Sequence, residues 1–170
     1  MGEVFLDADE LAARVAQLGG ELAADYEGRD PILVGSLKAC VPFICDLSRA
    51  MPIHHALDFV ELAGYGHDDV GEGIRFLKDL TIEIEDRHVL LVDEVVDTGL
   101  TMNYLSRTLA PRNPASLTAV TLFDRPYRRL VEDTPIRYVG FTIPDEFFVG
   151  YGFDLDERWR NLPDLRMVRT

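Results

Sequence analysis

The apolar positions fall into blocks whose spacing switches between that of a helix and that of a buried strand. Leu11, Val15, Leu18 and Leu22 recur at steps of three and four residues, which predicts a helix from Ala8 to Tyr26 with one apolar face. Asp7 stands where a side-chain oxygen caps the first free N–H groups, and Glu27-Gly28-Arg29-Asp30-Pro31 ends the helix. Ile32 to Leu37 is a short continuous apolar run, read as a buried strand. Cys40 to Ala50 is read as a helix with Phe43, Ile44 and Leu47 on one side; Pro42 suits its first turn. Ala56 to Leu62 is a second strand.

Then the texture changes. Residues 63–73 carry four glycines in eleven positions and are expected to form a long loop, a lid or binding loop around Tyr65. Strands are expected at Ile74–Leu77 and Val89–Val92, and a helix at Thr101–Leu109, stopped by Pro111 and Pro114. Two more strands are expected at Ser116–Phe123 and Arg137–Thr142; the last thirty residues show little regular pattern. Strands alternating with helices predict an α/β fold: a parallel sheet flanked by helices. With no linker or repeat, residues 1–170 read as a single domain, with a small subdomain made by the two chain ends.

Composition and charge narrow the classes. The 170 residues are 47% hydrophobic and 28% charged, which suits one globular unit. Asp and Glu outnumber Lys and Arg by 30 to 17, giving a formal charge of −13. That balance argues against a nucleic-acid partner, which needs a basic surface. Cys40 and Cys45 fit no zinc spacing and no disulfide framework, and read as reduced thiols. No apolar run reaches the roughly 18 residues of a membrane span. Met1 to Phe5 lacks the basic start of a signal peptide, so no membrane partner and a cytoplasmic location are expected.

Candidate chemistry concentrates in Val89 to Thr101. Four apolar residues are followed by Asp93 and Glu94, at the strand end where open α/β sheets bind ligands. Asp97-Thr98-Gly99-Leu100-Thr101 then turns into a helix N-terminus, whose free N–H groups and partial positive charge suit a phosphate. Gly99 permits close approach, and the two threonines add donors. The acids would repel a phosphate, so they need another partner: sugar hydroxyls or Mg²⁺. A phosphate beside a pair of hydroxyls describes a ribose 5-phosphate. The pattern is neither the Walker loop nor Gly-x-Gly-x-x-Gly.

This segment resembles the phosphoribosyl-pyrophosphate motif of type I phosphoribosyltransferases. Ile32 to Lys38, the Tyr65 loop, Gly140 to Phe147, Gly150 to Asp154 and Arg160 to Pro163 narrow the resemblance to hypoxanthine–guanine phosphoribosyltransferases, in order along nearly the whole chain. The resemblance implies the type I phosphoribosyltransferase fold, with a small hood over the base. It also implies transfer of a 5-phosphoribosyl group from 5-phosphoribosyl 1-pyrophosphate to a 6-oxopurine, with Mg²⁺ required.

By the same resemblance, Asp93 and Glu94 hold the ribose hydroxyls, and Asp97 to Thr101 wrap the 5-phosphate. Asp97 is the catalytic acid–base near the purine imidazole nitrogen. Leu37 and Lys38, joined by a cis peptide, meet the pyrophosphate with Ala39 and Arg160. Arg125, Phe147, Phe148 and Asp154 form the base site: Phe147 stacks on the ring, and the Phe148 carbonyl meets its exocyclic group. Asp93, Glu94 and Asp154 are the implied metal ligands, and Gly64 and Tyr65 belong to a closing loop. A homodimer or homotetramer is also implied.

Four positions depart from the usual family pattern. The acid pair is Asp93-Glu94 rather than Glu-Asp, Ala39 replaces a glycine, Gly64 replaces a serine, and Arg125 replaces the lysine that donates to the purine 6-oxo group. Arg is planar and forked where Lys is a point charge, so base choice among hypoxanthine, guanine and xanthine is left open. So are two other readings: a non-catalytic binder of nucleotides or the ribosyl donor, and a transferase with a different acceptor. From the residues alone, Tyr65 also reads as an exposed loop aromatic, Phe147 as core and Arg160 as a surface pair. Apart from Arg125, the basic run Arg125–Arg129 reads as a solvated turn.

Overall fold

A computed structural model describes residues 2–63 and 74–168. Its elements run in the order β1 (Val4–Leu6), α1 (Ala8–Tyr26), β2 (Ile32–Leu37), α2 (Val41–Ala50), β3 (Ala56–Ala63), β4 (Arg75–Lys78), β5 (His88–Val96), α3 (Leu100–Leu109), β6 (Ser116–Asp124), β7 (Ile136–Thr142), β8 (Phe148–Val149) and β9 (Leu165–Met167). Among the described residues the strands make two sheets, one of six strands in the order β4-β3-β2-β5-β6-β7 and one of three in the order β1-β9-β8.

Helix α1 begins as its sequence dictates. Asp7 accepts from the Glu10 N–H at 2.9 Å, and Glu10 returns the bond to the Asp7 N–H at 2.9 Å, a reciprocal capping box. Leu11, Val15, Leu18 and Leu22 are all buried, so its expected apolar face is the one that packs. On β2 and β5, alternate side chains feed opposite faces. Leu33, Leu90 and Val92 join the core under α1 and α2, while Ile32, Val34, Val89 and Leu91 join the core under α3 with Met102, Leu105 and Leu109. Each fully buried side chain of this kind contributes about 1.5–3 kcal/mol. Both faces are covered, which is why these strands read as unbroken apolar runs.

Strands β3, β2, β5, β6 and β7 are parallel to their neighbours. The edge strand β4 pairs antiparallel with β3, a departure from the expected all-parallel sheet. A parallel return needs a crossover of about a dozen or more residues, and only 11 residues separate β3 from β4. The second sheet joins both chain ends, as expected for the small subdomain. Its strands of two or three residues are too short to carry a period, so the last thirty residues looked irregular.

The sheet also places the site. From β2 the chain order runs one way to β3, and from β5 it runs the other way to β6 and β7. The β2–β5 boundary is therefore the topological switch point, where ligands of open α/β sheets bind beyond the strand ends. Pairing between β2 and β5 stops at Gly35 and Val92. Strand β5 runs four residues further, to Val96.

Candidate functional site

At that divergence lies a cavity of about 340 Å³, lined from one side by Ser36, Leu37, Lys38 and Ala39 and from the other by Asp93 to Gly99, Thr101 and Met102, with Arg160 reaching in. The Leu37–Lys38 peptide is cis. Asp93 and Glu94 lie inside β5 rather than after it, which corrects the expected strand end at Val92: Asp93 is paired with Thr121, and Val96 with Asp124, on the β6 side. The strand continues because β6 still offers a partner where β2 does not.

Both acids are only 9% exposed. Burial, then the Glu94 charge, push the Asp93 carboxyl well above its ordinary range. Burial also raises Glu94, although the Asp93 carboxyl and the Arg160 charge oppose the rise. Two buried, adjacent acids without a bridging cation are costly to ionise together, so hydroxyl donors or a cation are their natural complement.

The chain then turns at Gly99, the N-cap of α3, with φ of +81°. That left-handed backbone favours glycine, and a Cβ there would also be tight, 3.0 Å from Arg129 Cδ and 3.3 Å from the Val131 carbonyl oxygen. Helix α3 starts at Leu100, one residue earlier than expected, and Thr98 Oγ1 accepts from the Leu100 N–H at 3.3 Å. The helix start thus faces a cavity rimmed by threonine hydroxyls.

Asp97 lines the cavity. Its Oδ2 lies 3.5 Å from Arg128 Nη1 and 3.9 Å from Arg125 Nη1. Its Oδ1 is buried and has no hydrogen-bond partner among the described residues. Arg125 is itself buried, donating from Nη2 to the Glu146 carbonyl at 2.6 Å, with its guanidinium 5.5 Å from the Phe148 ring centre and 5.8 Å from that of Phe153. Burial lowers its pKa, against the opposing pull of Asp97. The two phenylalanines of the expected base site part company: Phe147 is 66% exposed, whereas Phe148 is 4% exposed and packs on Phe5 and Phe153. Phe147 is therefore not core; its ring is open to solvent.

On the opposite side, Arg160 Nη1 pairs with Asp154 Oδ1 at 2.9 Å. Glu157 bridges Lys38 at 3.0 Å and Arg160 at 3.3 Å. Gly64 and Tyr65 lie outside the described residues.

Residues 3–157 match the family of phosphoribosyl transferase domains. The chain belongs to that family. This phosphoribosyltransferase is 43% identical over 166 residues to a hypoxanthine-guanine phosphoribosyltransferase of Mycobacterium tuberculosis, covering 94% of this chain and 82% of that one. It is 36% identical to the Bacillus subtilis enzyme of the same name, covering 98% and 93%. It is also 40% identical to the bifunctional protein TilS/HprT of Listeria monocytogenes, but spans only 26% of that longer protein. A crystal structure of a hypoxanthine-guanine phosphoribosyltransferase from Bacillus anthracis, with HEPES in the active site, superposes with a TM-score of 0.93 at 34% identity, covering 99% of each chain.

Two residues of the phosphoribosyltransferase site escaped the sequence. Arg128, which the sequence places in a solvated turn, bridges Asp97 and Asp145. Glu157 carried no motif at all. Both act through partners far along the chain, Lys38 lying 119 positions from Glu157, and no periodicity reports such pairs.

Proposed function

We propose that this phosphoribosyltransferase is a purine-salvage enzyme. It moves the 5-phosphoribosyl group of 5-phosphoribosyl 1-pyrophosphate to a 6-oxopurine (hypoxanthine, guanine or xanthine), releasing pyrophosphate and a nucleoside monophosphate. The observation that carries this reading is one cavity holding a helix N-terminus, a buried acid pair and Asp97, whose buried Oδ1 lacks a partner. The similarity to hypoxanthine-guanine phosphoribosyltransferases over nearly the whole chain favours catalysis over a non-catalytic binding role.

In this reading, residues Asp97 to Thr101 hold the 5-phosphate through backbone N–H groups and the threonine hydroxyls. Asp93 and Glu94 accept from the ribose hydroxyls. As the C1–O bond to pyrophosphate breaks, positive charge grows on the sugar and negative charge on the leaving group. The carboxylates stabilise the first, and Lys38 and Arg160 the second. The purine nitrogen forms the new bond to C1, and the Asp97 carboxylate takes the proton from the imidazole ring. Arg125 donates to the 6-oxo group, and Phe147 covers the ring while the Phe148 carbonyl meets the exocyclic group.

Asp93, Glu94 and Asp154 would hold Mg²⁺, which when bound neutralises charge on the pyrophosphate. Among the described residues no three such side chains converge into a preformed cage. The buried acid pair fits an ion that arrives with the substrate, since Mg²⁺ is commonly bound by one or two carboxylates plus substrate phosphates. The reading takes residues 1–170 as one domain working in the cytoplasm as a homodimer or homotetramer, with Gly64 and Tyr65 in a loop that closes over the centre.

Asp97→Asn tests the assignment. The variant keeps the volume and removes the proton acceptor, so turnover should fall by about 10²-fold or more with binding of the ribosyl donor retained. Undiminished turnover would remove Asp97 from the reaction.

A further inference from the structure

Arg128 sits at the end of a short turn, Pro126–Arg128, that follows β6. Three bonds fix this turn. The Arg128 N–H donates to the Arg125 carbonyl at 3.2 Å, the Arg129 N–H donates to the Pro126 carbonyl at 3.2 Å, and the Leu130 N–H donates to the Thr98 carbonyl at 2.9 Å. The last bond ties the turn to the loop that carries Asp97. The Arg128 guanidinium then reaches two carboxylates on separate segments. Nη1 lies 3.5 Å from Asp97 Oδ2, and Nε pairs with Asp145 Oδ1. Asp145 lies two residues before Phe147, in the segment that follows β7. Arg125 is the other cation near Asp97, but it is farther away and already committed to the Glu146 carbonyl and two phenyl rings.

A carboxylate with one oxygen buried in the protein and the other beside a guanidinium that is itself anchored to a second carboxylate is restricted in orientation. We propose that Arg128 is the positioning residue of the transfer reaction. It holds the Asp97 carboxylate in one orientation as the acceptor for the purine N–H, and through Asp145 it ties that acceptor to the segment carrying Phe147. This rests on the purine-transfer reading above and adds a residue to it. Arg128 touches neither the ribosyl donor nor the pyrophosphate cations, so its loss acts on the proton-transfer step and on base placement. Binding of 5-phosphoribosyl 1-pyrophosphate is left alone.

The test is a set of initial-rate measurements on wild type, Arg128→Ala, Arg128→Lys, Asp97→Asn and the Arg128→Ala/Asp97→Asn double variant, each checked for folding by circular dichroism. Arg128→Ala should lower kcat about tenfold, part of what a positioned base supplies, with KM for the ribosyl donor unchanged. Arg128→Lys should recover part of the loss, since it keeps a donor but not the fork. The double variant should be no slower than Asp97→Asn alone, because Arg128 acts through the group already removed.

Wild-type kcat retained in a folded Arg128→Ala would overturn the proposal while leaving the enzyme assignment intact. So would a double variant slower than Asp97→Asn by the full Arg128→Ala factor. If Arg128→Ala does not fold, Arg128→Lys decides: kcat equal to wild type, or a loss confined to KM for the donor, overturns the role. Absence of any purine transfer by the wild type would instead refute the underlying functional reading.

Discussion

Gly152→Ala is the substitution whose consequence the structure fixes most sharply. Gly152 has φ of +102°, and a Cβ placed on it would lie 2.1 Å from the carbonyl oxygen of Ala39. No side-chain rotation relieves a clash between a Cβ and a backbone oxygen, so one of the two segments must move. Forcing an L-residue into left-handed backbone costs about 1–2 kcal/mol. Overpacking of this kind costs about a further 1–3 kcal/mol. The combined penalty of about 2–5 kcal/mol is a large share of the ~5–15 kcal/mol that holds a domain together. For a chain of this size it lowers Tm by roughly 4–20 °C. The displaced segments are Leu37–Ala39 and the Gly150–Arg160 strap, which the Lys38–Glu157 ion pair joins at 3.0 Å; the strap is itself closed by the Gly152 N–H donating to the Arg160 carbonyl at 3.1 Å and by Arg160 Nη1 donating to the Gly152 carbonyl at 2.9 Å. KM for 5-phosphoribosyl 1-pyrophosphate should therefore rise along with the loss of stability. The assay is urea and thermal unfolding beside initial rates, with Gly20→Ala as control. Gly20 lies in α1 with nothing within 4 Å of its added Cβ, so that change should stabilise by about 0.5–1 kcal/mol. A Gly152→Ala protein as stable as wild type would refute the steric argument.

Three further outcomes follow from the same structure. Asp58 is buried and accepts from the N–H groups of Thr81 at 2.7 Å, Phe59 at 2.8 Å and Ile82 at 2.9 Å, and from Lys78 Nζ at 3.3 Å. Burial pushes its carboxyl up, but the four donors outweigh this and leave it below the ordinary value of 3.8. Asp58→Ala should cost about 2–4 kcal/mol at neutral pH. The carboxylate's contribution is complete above that ordinary value and disappears as pH falls through the lower folded one, so unfolding curves of wild type and variant should converge in acid. Glu157→Gln should lower KM for the ribosyl donor about two- to fivefold, because Glu157 occupies the two cations assigned to pyrophosphate; an increase in KM would show that Glu157 assists binding. Arg125→Ala should raise KM for the oxopurine with little change for the ribosyl donor, and should destabilise by about 2–4 kcal/mol through the unpaired Glu146 carbonyl and the gap between Phe148 and Phe153; an unchanged oxopurine KM in initial rates would remove Arg125 from the base site.

What could be read from the sequence follows from the range of the interactions involved. Helix α1 and its boundaries were legible because cap, apolar face and terminator are all local, from Asp7 to Pro31. The alternating cores of β2 and β5 were legible as apolar runs, and the Asp93–Thr101 segment as a strand-to-helix turn with acids in it. The extension of β5 to Val96 was not, since it depends on β6 outlasting β2 as a pairing partner. The antiparallel β4 was missed because a four-residue strand carries no sign of its direction. At the site, Arg128 and Glu157 were invisible because their roles arise from charge pairs made across the fold. Phe147 and Phe148 are neighbours with the same side chain, and only packing distinguishes the exposed ring from the buried one.

The most direct measurement is pyrophosphate release from 5-phosphoribosyl 1-pyrophosphate and Mg²⁺ by the wild-type protein, with hypoxanthine, guanine, xanthine and adenine supplied in parallel. Turnover is expected with one or more of the three oxopurines and not with adenine, because Arg125 offers donors where adenine presents an amino group. Release with no oxopurine, in a folded protein that still binds the ribosyl donor, would contradict the purine-transfer reading.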